Sequence, residues 1–542
     1  MVGGEYVGLL NAIKNLFWKG GEKVDDLKSL SEITDDSRIS IPAIEYDRIN
    51  NAKNYYSDTF DPVKYKNSYG VNCEHKLMSL NMAKMASRRL ASIIFNEQCE
   101  ISLSDDNANS LIESVLTNEH FYLNFEEFLE KAIALGGGAA RPYVDGNEIK
   151  IAWIDADQFY PLHTNTNEIN EAAIARRNVV TEHDTTVYYT LLEFHEWKAV
   201  HDEETGIDGN YQITYELYRS ESEDTVGNQK SLATLTEYEN LPPHANLAEV
   251  QHNLFSYFKT PGANNIMFGS PLGLGIVDNT ENIIRAINLT HDQFVWEVKM
   301  GKQRVAVPAE MLRPADGFGD ANDDMAHPQM FDSDETVYQA MYGDEDMKVT
   351  SLTTAIRNEQ YEASMDYFLH EFENQVGLSA GTFTTTPSGV QTATEVVSNN
   401  SMTYQTRSSY LTQVERFIND LVDAILELAK QGDLFDDGKT RWDGDIDEIE
   451  VNIHFDDGVF VDKDAQAKQD MLAVTNGVMP KKQFLIRNYG LSDEDADEWI
   501  AAVQNETPEP APSAETGLFG GDGSGGDGNG DSSTDDGQGI ED

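Results

Sequence analysis

Basic residues are scarce in this sequence. Against 95 Asp and Glu it sets only 39 Lys and Arg, a formal charge of −56 over 542 residues. A protein that coats nucleic acid by neutralising phosphates needs the opposite balance. Cysteine is scarcer still. Cys73 and Cys99 are the only two, which excludes a disulfide scaffold. Their spacing suits no zinc site, so both are expected as buried thiols. No run approaches the roughly 18 apolar residues of a membrane-spanning helix. The first residues show no basic start, apolar stretch and small-residue cleavage site of a secretory signal. The chain therefore reads as a cytoplasmic or particle-bound protein made in a reducing compartment. Core material is present: 39% hydrophobic and 10% aromatic residues suffice for folded domains. At about 150 residues each, three or four domains are expected, or one elongated subunit of that mass.

The charge is uneven. From Asn505 onward the chain holds ten acids, no base and ten of its 40 glycines. Such a segment has no apolar face to offset its ordering entropy and reads as a disordered acidic tail, 506–542. Asp527, Asn529 and Asp531 match the first spacings of a calcium loop. Ser532 then replaces the turn glycine, and Gln538 replaces the bidentate Glu, so the calcium reading fails.

Hydrophobic spacing organises the rest. Val7, Leu10, Ile13 and Phe17 mark an N-terminal helix in an arm, 1–44. A helix over 76–95 would turn Leu77, Leu80, Met85, Leu90 and Ile94 inward and Lys84, Arg88 and Arg89 outward. A helix over Phe125–Leu135 stops at three glycines. The pattern then changes to alternation. Ala140–Val144 and Glu148–Trp153 flank the turn Asp145-Gly146-Asn147, and Val187–Trp197 and Tyr211–Tyr218 form a longer hairpin. Ser270-Pro271 has the form of a helix start, with Ile283, Ile287, Phe294 and Val298 along one stripe to about Met300. A short strand, Arg304–Val307, and an acidic loop-rich stretch follow. A helix over Thr354–Val376 carries Tyr361, Met365, Phe368, Phe372 and Val376. The polar loop Leu378–Gln391 leads to the capping box Thr392-Ala393-Thr394-Glu395. That box opens a helix reaching Lys430, with the seam Leu411, Val414, Ile418, Leu421, Ile425 and Leu428. Burying those six side chains stabilises by roughly 9–18 kcal/mol before chain entropy. A strand at Ile449–Phe455 and three short helices, Lys463–Val474, Pro480–Asn488 and Ser492–Gln504, complete an α+β chain.

Chemical motifs do not survive inspection. Gly432–Thr440 has five residues between its glycines where a phosphate loop needs four, and it follows a helix. Gly273-Leu274-Gly275 lacks the third glycine of a dinucleotide site, because Asp278 stands there. His195-Glu196 and His201 miss the zinc-protease spacing and fall on a strand. Asp456-Asp457 could serve metal or acid–base work, but in so acidic a chain an accidental pair is the expected finding. No catalytic residue, metal or cofactor is assigned.

The order of parts is more informative. Two helices flank a loop-rich insert; a polar loop, a very long helix and a small helical group follow. Residues 135–162, 271–298, 376–406 and 453–471 give this sequence a resemblance to the portal proteins of long-tailed, siphovirus-type bacteriophages, over nearly all of 50–505. The resemblance implies a helix-rich, elongated subunit of a ring, about twelve copies, at one capsid vertex. Through that ring DNA is packaged by the terminase and later ejected. The implied parts are a wing at 45–265, a first stem helix at 266–300, a clip at 301–350 and a second stem helix at 351–377. A tunnel loop at 378–391, the long wing helix and strand at 392–457 and a crown at 458–505 follow. In the tunnel loop, Thr382, Phe383, Thr384, Thr385, Thr386, Pro387, Ser388 and Gly389 would face DNA. In the clip, Glu310, Arg313, Asp316, Asp323, Asp324 and Asp332 would face the motor and later the adaptor. Implied partners are other copies of the chain, double-stranded DNA, the terminase large subunit, the head–tail adaptor, and the major capsid and scaffolding proteins. A membrane is not among them. The implied location is the virion, with the host cytoplasm during assembly.

One feature of the residues agrees with a conduit. From Asn358 to Thr406 there is no Lys or Arg, so this stretch cannot grip phosphates by ion pairs. Two other readings stay open: another structural virion protein, such as an adaptor or minor head protein, and an acidic metal-dependent hydrolase using Asp456 and Asp457.

Overall fold

The computed structural model describes residues 28–301 except 68–69, 96–98, 163, 166–167, 202–207 and 240. It also describes 305–308, 338–341, 350–351, 355–384, 400–455, and 463–506 except 490. Strand β1 (Ser29–Leu30) and helix α1 (Ala43–Tyr56) lead to a hairpin, β2 (Val63–Lys66) and β3 (Asn72–His75). Helix α2 (Met82–Ile94), strand β4 (Glu100–Leu103) and helices α3 (Asp106–Asn118) and α4 (Phe121–Leu135) follow. Next come β5 (Gly137–Asp145), β6 (Glu148–Asp155), β7 (Phe159–Pro161), β8 (Thr164–Asn165) and β9 (Glu168–Ile169). The long strands β10 (Ala172–Glu182), β11 (Thr185–His201) and β12 (Asp208–Ser220) precede β13 (Gly227–Lys230), β14 (His244–Leu247) and β15 (Ser256–Lys259). Helix α5 (Ile276–Met300), β16 (Val305–Pro308), β17 (Tyr338–Met341), β18 (Thr350–Ser351), helix α6 (Asn358–Val376) and helix α7 (Ser401–Lys430) come next. Strand β19 (Val451–His454) and helices α8 (Lys463–Thr475), α9 (Lys481–Tyr489) and α10 (Asp493–Glu506) end the described chain.

Both expected hairpins form. The β5–β6 pair closes at Asp145↔Glu148 around Gly146, whose φ of 65° suits the turn. The β11–β12 pair is the spine of a seven-stranded sheet in the order β1-β13-β12-β11-β10-β7, with β14 also on β12. Alternation along β11 sends Val187, Tyr189 and Leu191 to one small core and Leu192 and Phe194 to the main one. Both faces of this sheet are therefore covered.

The main core is aromatic. Phe125 and Phe128 of α4 lie with ring centroids 5.5 and 5.4 Å from Phe417 of α7, and Trp153 of β6 packs tilted against Phe128 at 4.9 Å. The expected seam of α7 is buried at Val414, Ile418, Leu421, Ile425 and Leu428 and half-buried at Leu411. The helix is described from Ser401, so it spans about 45 Å at 1.5 Å per residue. The capping box at 392–395 lies outside the described residues, as do the N-terminal helix at 5–18, Asp456-Asp457 and the acidic tail.

Several expectations are corrected. Helix α2 starts at Met82, not at residue 76. Asn81 is left-handed, and before it the amides of Met78 and Leu80 donate to Asp292 Oδ1 (3.1 Å) and Asn288 Oδ1 (3.2 Å) of α5. Met85 is 48% exposed, and its expected place in the core is taken by Ala86 and Ser87. Helix α5 starts at Ile276, not at Pro271. The Ser270 hydroxyl is committed to Glu45 (3.0 Å), and Asp278 caps the helix by accepting from the Gly275 amide at 2.6 Å. The buried stripe of α5 runs through Val277, Ile284, Ile287 and Asn288, leaving Val298 exposed. Helix α6 starts at Asn358, four residues late. Where a loop was expected, Tyr338–Met341 runs parallel to Val305–Pro308. Cys99 is buried, but Cys73 is only half-buried.

Three glycines explain why α4 and α5 meet. A Cβ on Gly136 would lie 2.5 Å from the Gly273 carbonyl oxygen; one on Gly275 would lie 2.1 Å from that of Ala134. The two chains pass backbone against backbone, and the Thr260 hydroxyl bridges them, 3.0 Å from Gly136 O and 2.8 Å from Leu274 O.

The chain divides near Phe460 into two compact units. The second contains the three short helices, each within two residues of its expected start. Lys482 pairs with Asp497 at 2.9 Å, and Asp470 accepts from Asn488 at 3.0 Å.

Candidate functional site

The polar loop between α6 and α7 is rooted by hydroxyls and one buried carboxylate. Helix α6 stops because Gly377 turns left-handed, with φ +80°, and the Leu378 amide donates back to Glu373 O at 2.8 Å. A Cβ there would meet Thr406 Oγ1 at 2.4 Å; instead the Thr406 hydroxyl donates to Gly377 O at 2.7 Å. One turn back along α7, Thr403 clasps Ser379. The Ser379 amide donates to Thr403 Oγ1 at 2.8 Å and the Thr403 amide to Ser379 Oγ at 3.1 Å. Both residues are buried, so the pair is a self-satisfied polar joint between the ends of the loop.

Glu373 holds the next residues. Its side chain is fully buried, and it accepts from the amides of Phe383 (2.5 Å) and Thr384 (3.0 Å) and from the Thr384 hydroxyl (3.0 Å). Amide donors to a carboxylate are charge-assisted and hold the loop's first turn. Thr382 closes that turn by donating its hydroxyl to Ser379 O at 2.8 Å. Phe383 is half-buried, and its ring centroid is 6.0 Å from that of Phe372. Of the expected DNA-facing residues, then, Thr382, Phe383 and Thr384 are bonded or packed within their own chain at the loop root. Thr385, Thr386, Pro387, Ser388 and Gly389 lie outside the described residues. So do Glu310, Arg313, Asp316, Asp323, Asp324 and Asp332.

Helices α5 and α6 pack together and are stapled at their far end. Arg357 straddles Glu297, with Nη2 2.6 Å from Oε2 and Nε 3.1 Å from Oε1, and its own amide donates to Oε1 at 3.0 Å. This fork holds the Glu297 carboxyl down at about 2. Phe294 and Tyr361 meet beside it at 5.2 Å. Along α6, Glu359, Glu362 and Asp366 are exposed, and the helix carries no Lys or Arg.

The titratable clusters elsewhere read as structural. His195 is buried between the Tyr211 hydroxyl (3.0 Å) and Glu193 (2.8 Å), which Arg141 also contacts at 2.8 Å. Burial alone would raise the Glu193 carboxyl, but Arg141 and His195 hold it below its ordinary value. No group of three or more His, Cys, Asp or Glu among the described residues has the geometry of a metal site. Gly432–Leu434 is a single helical turn after α7, not a phosphate cradle.

Sequence reasoning missed Glu373, Ser379, Thr403, Thr406, Glu297 and Arg357. One signal was available: the hydroxyl-rich ends of 376–406, which are spaced to face each other only if the loop doubles back.

Residues 39–509 match the family of phage portal proteins, SPP1 Gp6-like. The chain belongs to the phage portal protein family. No individual curated protein matches it. Portal proteins are structural components of the virion, not enzymes. The family span includes the stapled helix pair, the clasped loop root and the aromatic core, so these are parts of the portal body. Among the described residues of this portal chain, no helix is long and apolar enough to cross a membrane.

Proposed function

We propose that this portal chain assembles into a closed ring, about a dozen copies, at one capsid vertex. Phage DNA enters through the ring under the terminase and leaves by the same route. Family membership over residues 39–509 carries this reading. The stretch Asn358–Thr406 supports it, because a conduit should surround DNA without holding it, and no Lys or Arg occurs there. In this reading α5 and α6 are the stem. Residues 301–350 are the clip facing the terminase large subunit and then the head–tail adaptor, and 378–391 are the tunnel loop. The wing comprises 45–265 with α7, the crown is 458–505, and capsid and scaffolding proteins surround the ring.

The Ser379–Thr403 clasp and Glu373 fix where the loop leaves its subunit, so Thr385–Gly389 are the residues left to reach the duplex. Negative-stain images of the purified chain should show rings with a central hole. Thr385→Lys would place about a dozen cations around the duplex, each releasing counterions on contact. Packaging should then stall at low salt and recover as salt rises, with Thr385→Ser nearly silent. A normal packaging rate for Thr385→Lys at low salt would refute the placement of the loop.

A further inference from the structure

Between Thr260 and Val277 the chain carries no charged residue, a gap of eighteen positions in a protein of net charge −56. Within that gap the loop Pro261–Ser270 is irregular but tightly held. Glu45, itself buried, accepts from Asn264 Nδ2 and from the Ser270 hydroxyl, each at 3.0 Å. Asn264 Oδ1 in turn accepts the amides of Ile266 (3.0 Å) and Met267 (2.8 Å). Left-handed Gly262 and Gly269 bracket the segment, at φ 106° and 88°. This scaffold holds Phe268 88% exposed, with Ile266 at 49% beside it in sequence and Ile44, next to Glu45, at 66%. A fixed loop that keeps an aromatic ring in water forgoes the stabilisation that burying the ring would give, so the arrangement has the form of a preorganised contact.

We propose that Phe268 is an assembly anchor, buried against the neighbouring copy of this chain; the proposal rests on the ring reading above. Charge argues for a second copy as the occupant. Identical chains of −56 repel, and they approach at less cost through a segment that carries no ion of its own. A ring built from one kind of chain also needs two unlike surfaces per subunit, a projection on one and its receptor on the other. DNA is a poor occupant, because the segment offers no cation to a phosphate. Aromatic residues buried at the centre of an interface carry a disproportionate share of its stability.

The test uses the full chain with Phe268→Ser and Phe268→Leu. Native mass spectrometry follows ring formation against concentration, and circular dichroism follows melting of the dissociated subunit. Phe268→Ser should raise the concentration for half-assembly about ten- to a hundred-fold. Phe268→Leu should stay within a few-fold of wild type, and both dissociated subunits should melt as wild type does. Wild-type rings together with unchanged assembly of Phe268→Ser would overturn the anchor while leaving the ring intact. A lower melting temperature for the dissociated Phe268→Ser subunit would overturn it too, showing that the chain covers Phe268 itself. Wild type without rings at any concentration would sink the ring reading and the anchor with it.

Discussion

Removing the Glu373 carboxylate should loosen the loop root without unfolding the chain. Glu373→Ala strands the amides of Phe383 and Thr384 and the Thr384 hydroxyl. A fully buried amide left unpaired costs about 1–3 kcal/mol. Phe383 and Thr384 are half-buried, so water can reach them in part and the low end applies, giving about 2 kcal/mol for the two amides. Relief of a buried charge offsets some of the loss of the hydroxyl contact. Because a chain of this size does not unfold in one step, the readout must be local. Amide hydrogen exchange at Phe383 and Thr384 should accelerate about 30-fold in Glu373→Ala. Glu373→Gln keeps one acceptor oxygen for both amides and loses only the charge assistance, about 1 kcal/mol or roughly five-fold. Unchanged exchange in Glu373→Ala would refute the claim that this carboxylate anchors the loop. Equal acceleration in both variants would show that charge, not acceptor geometry, does so.

Three further outcomes follow from other contacts. Glu297 titrates near 2 in the fold against an ordinary 4.5, so its pair with Arg357 stabilises fully above pH 4.5 and fades as pH falls towards 2. The melting temperature of wild type should exceed that of Glu297→Gln at pH 6, and the gap should narrow by about pH 3 and close only below about pH 2. Gly275→Ala drives a methyl to within 2.1 Å of a backbone oxygen, and neither chain can yield by rotating a side chain. A loss of about 3 kcal/mol should appear as a clear drop in melting temperature, and an unchanged melt would contradict the close passage. Deleting the chain after Thr507 removes acids and glycines but no apolar face, so ring formation and melting should both be preserved.

What the sequence disclosed follows from the range of each interaction. The β5–β6 hairpin was legible because Asp145-Gly146-Asn147 is a local turn signal, and the α7 seam because one helix repeats it every three or four residues. The start of α5 was misread for the opposite reason. Ser270-Pro271 has the local form of a cap, but Glu45, 225 positions away, takes its hydroxyl, and Asp278 caps a helix that begins later. The Ser379–Thr403 clasp spans 24 residues and has no period to betray it. Glu373 is one acid among 95, and only burial and its three donors set it apart. The four stretches that carried the resemblance include the glycines that pass closest. Residues 135–162 and 271–298 hold Gly136, Gly273 and Gly275, whose contacts are made between main chains.

Those main-chain contacts also determine how a push would travel. A force along α5 arrives at its N-terminus, where Gly273 and Gly275 rest on the carbonyls of Gly136 and Ala134. Side chains absorb load by changing rotamer, but a carbonyl against an α-carbon has no such slack. Thrust on the helix would therefore pass undamped through α4 into the rings of Phe125, Phe128 and Phe417. At the other end of α5 the Arg357–Glu297 fork lies at the surface, where ionic strength can soften it. The helix is thus bolted stiffly at one end and latched compliantly at the other, so strain applied along it collects at the latch.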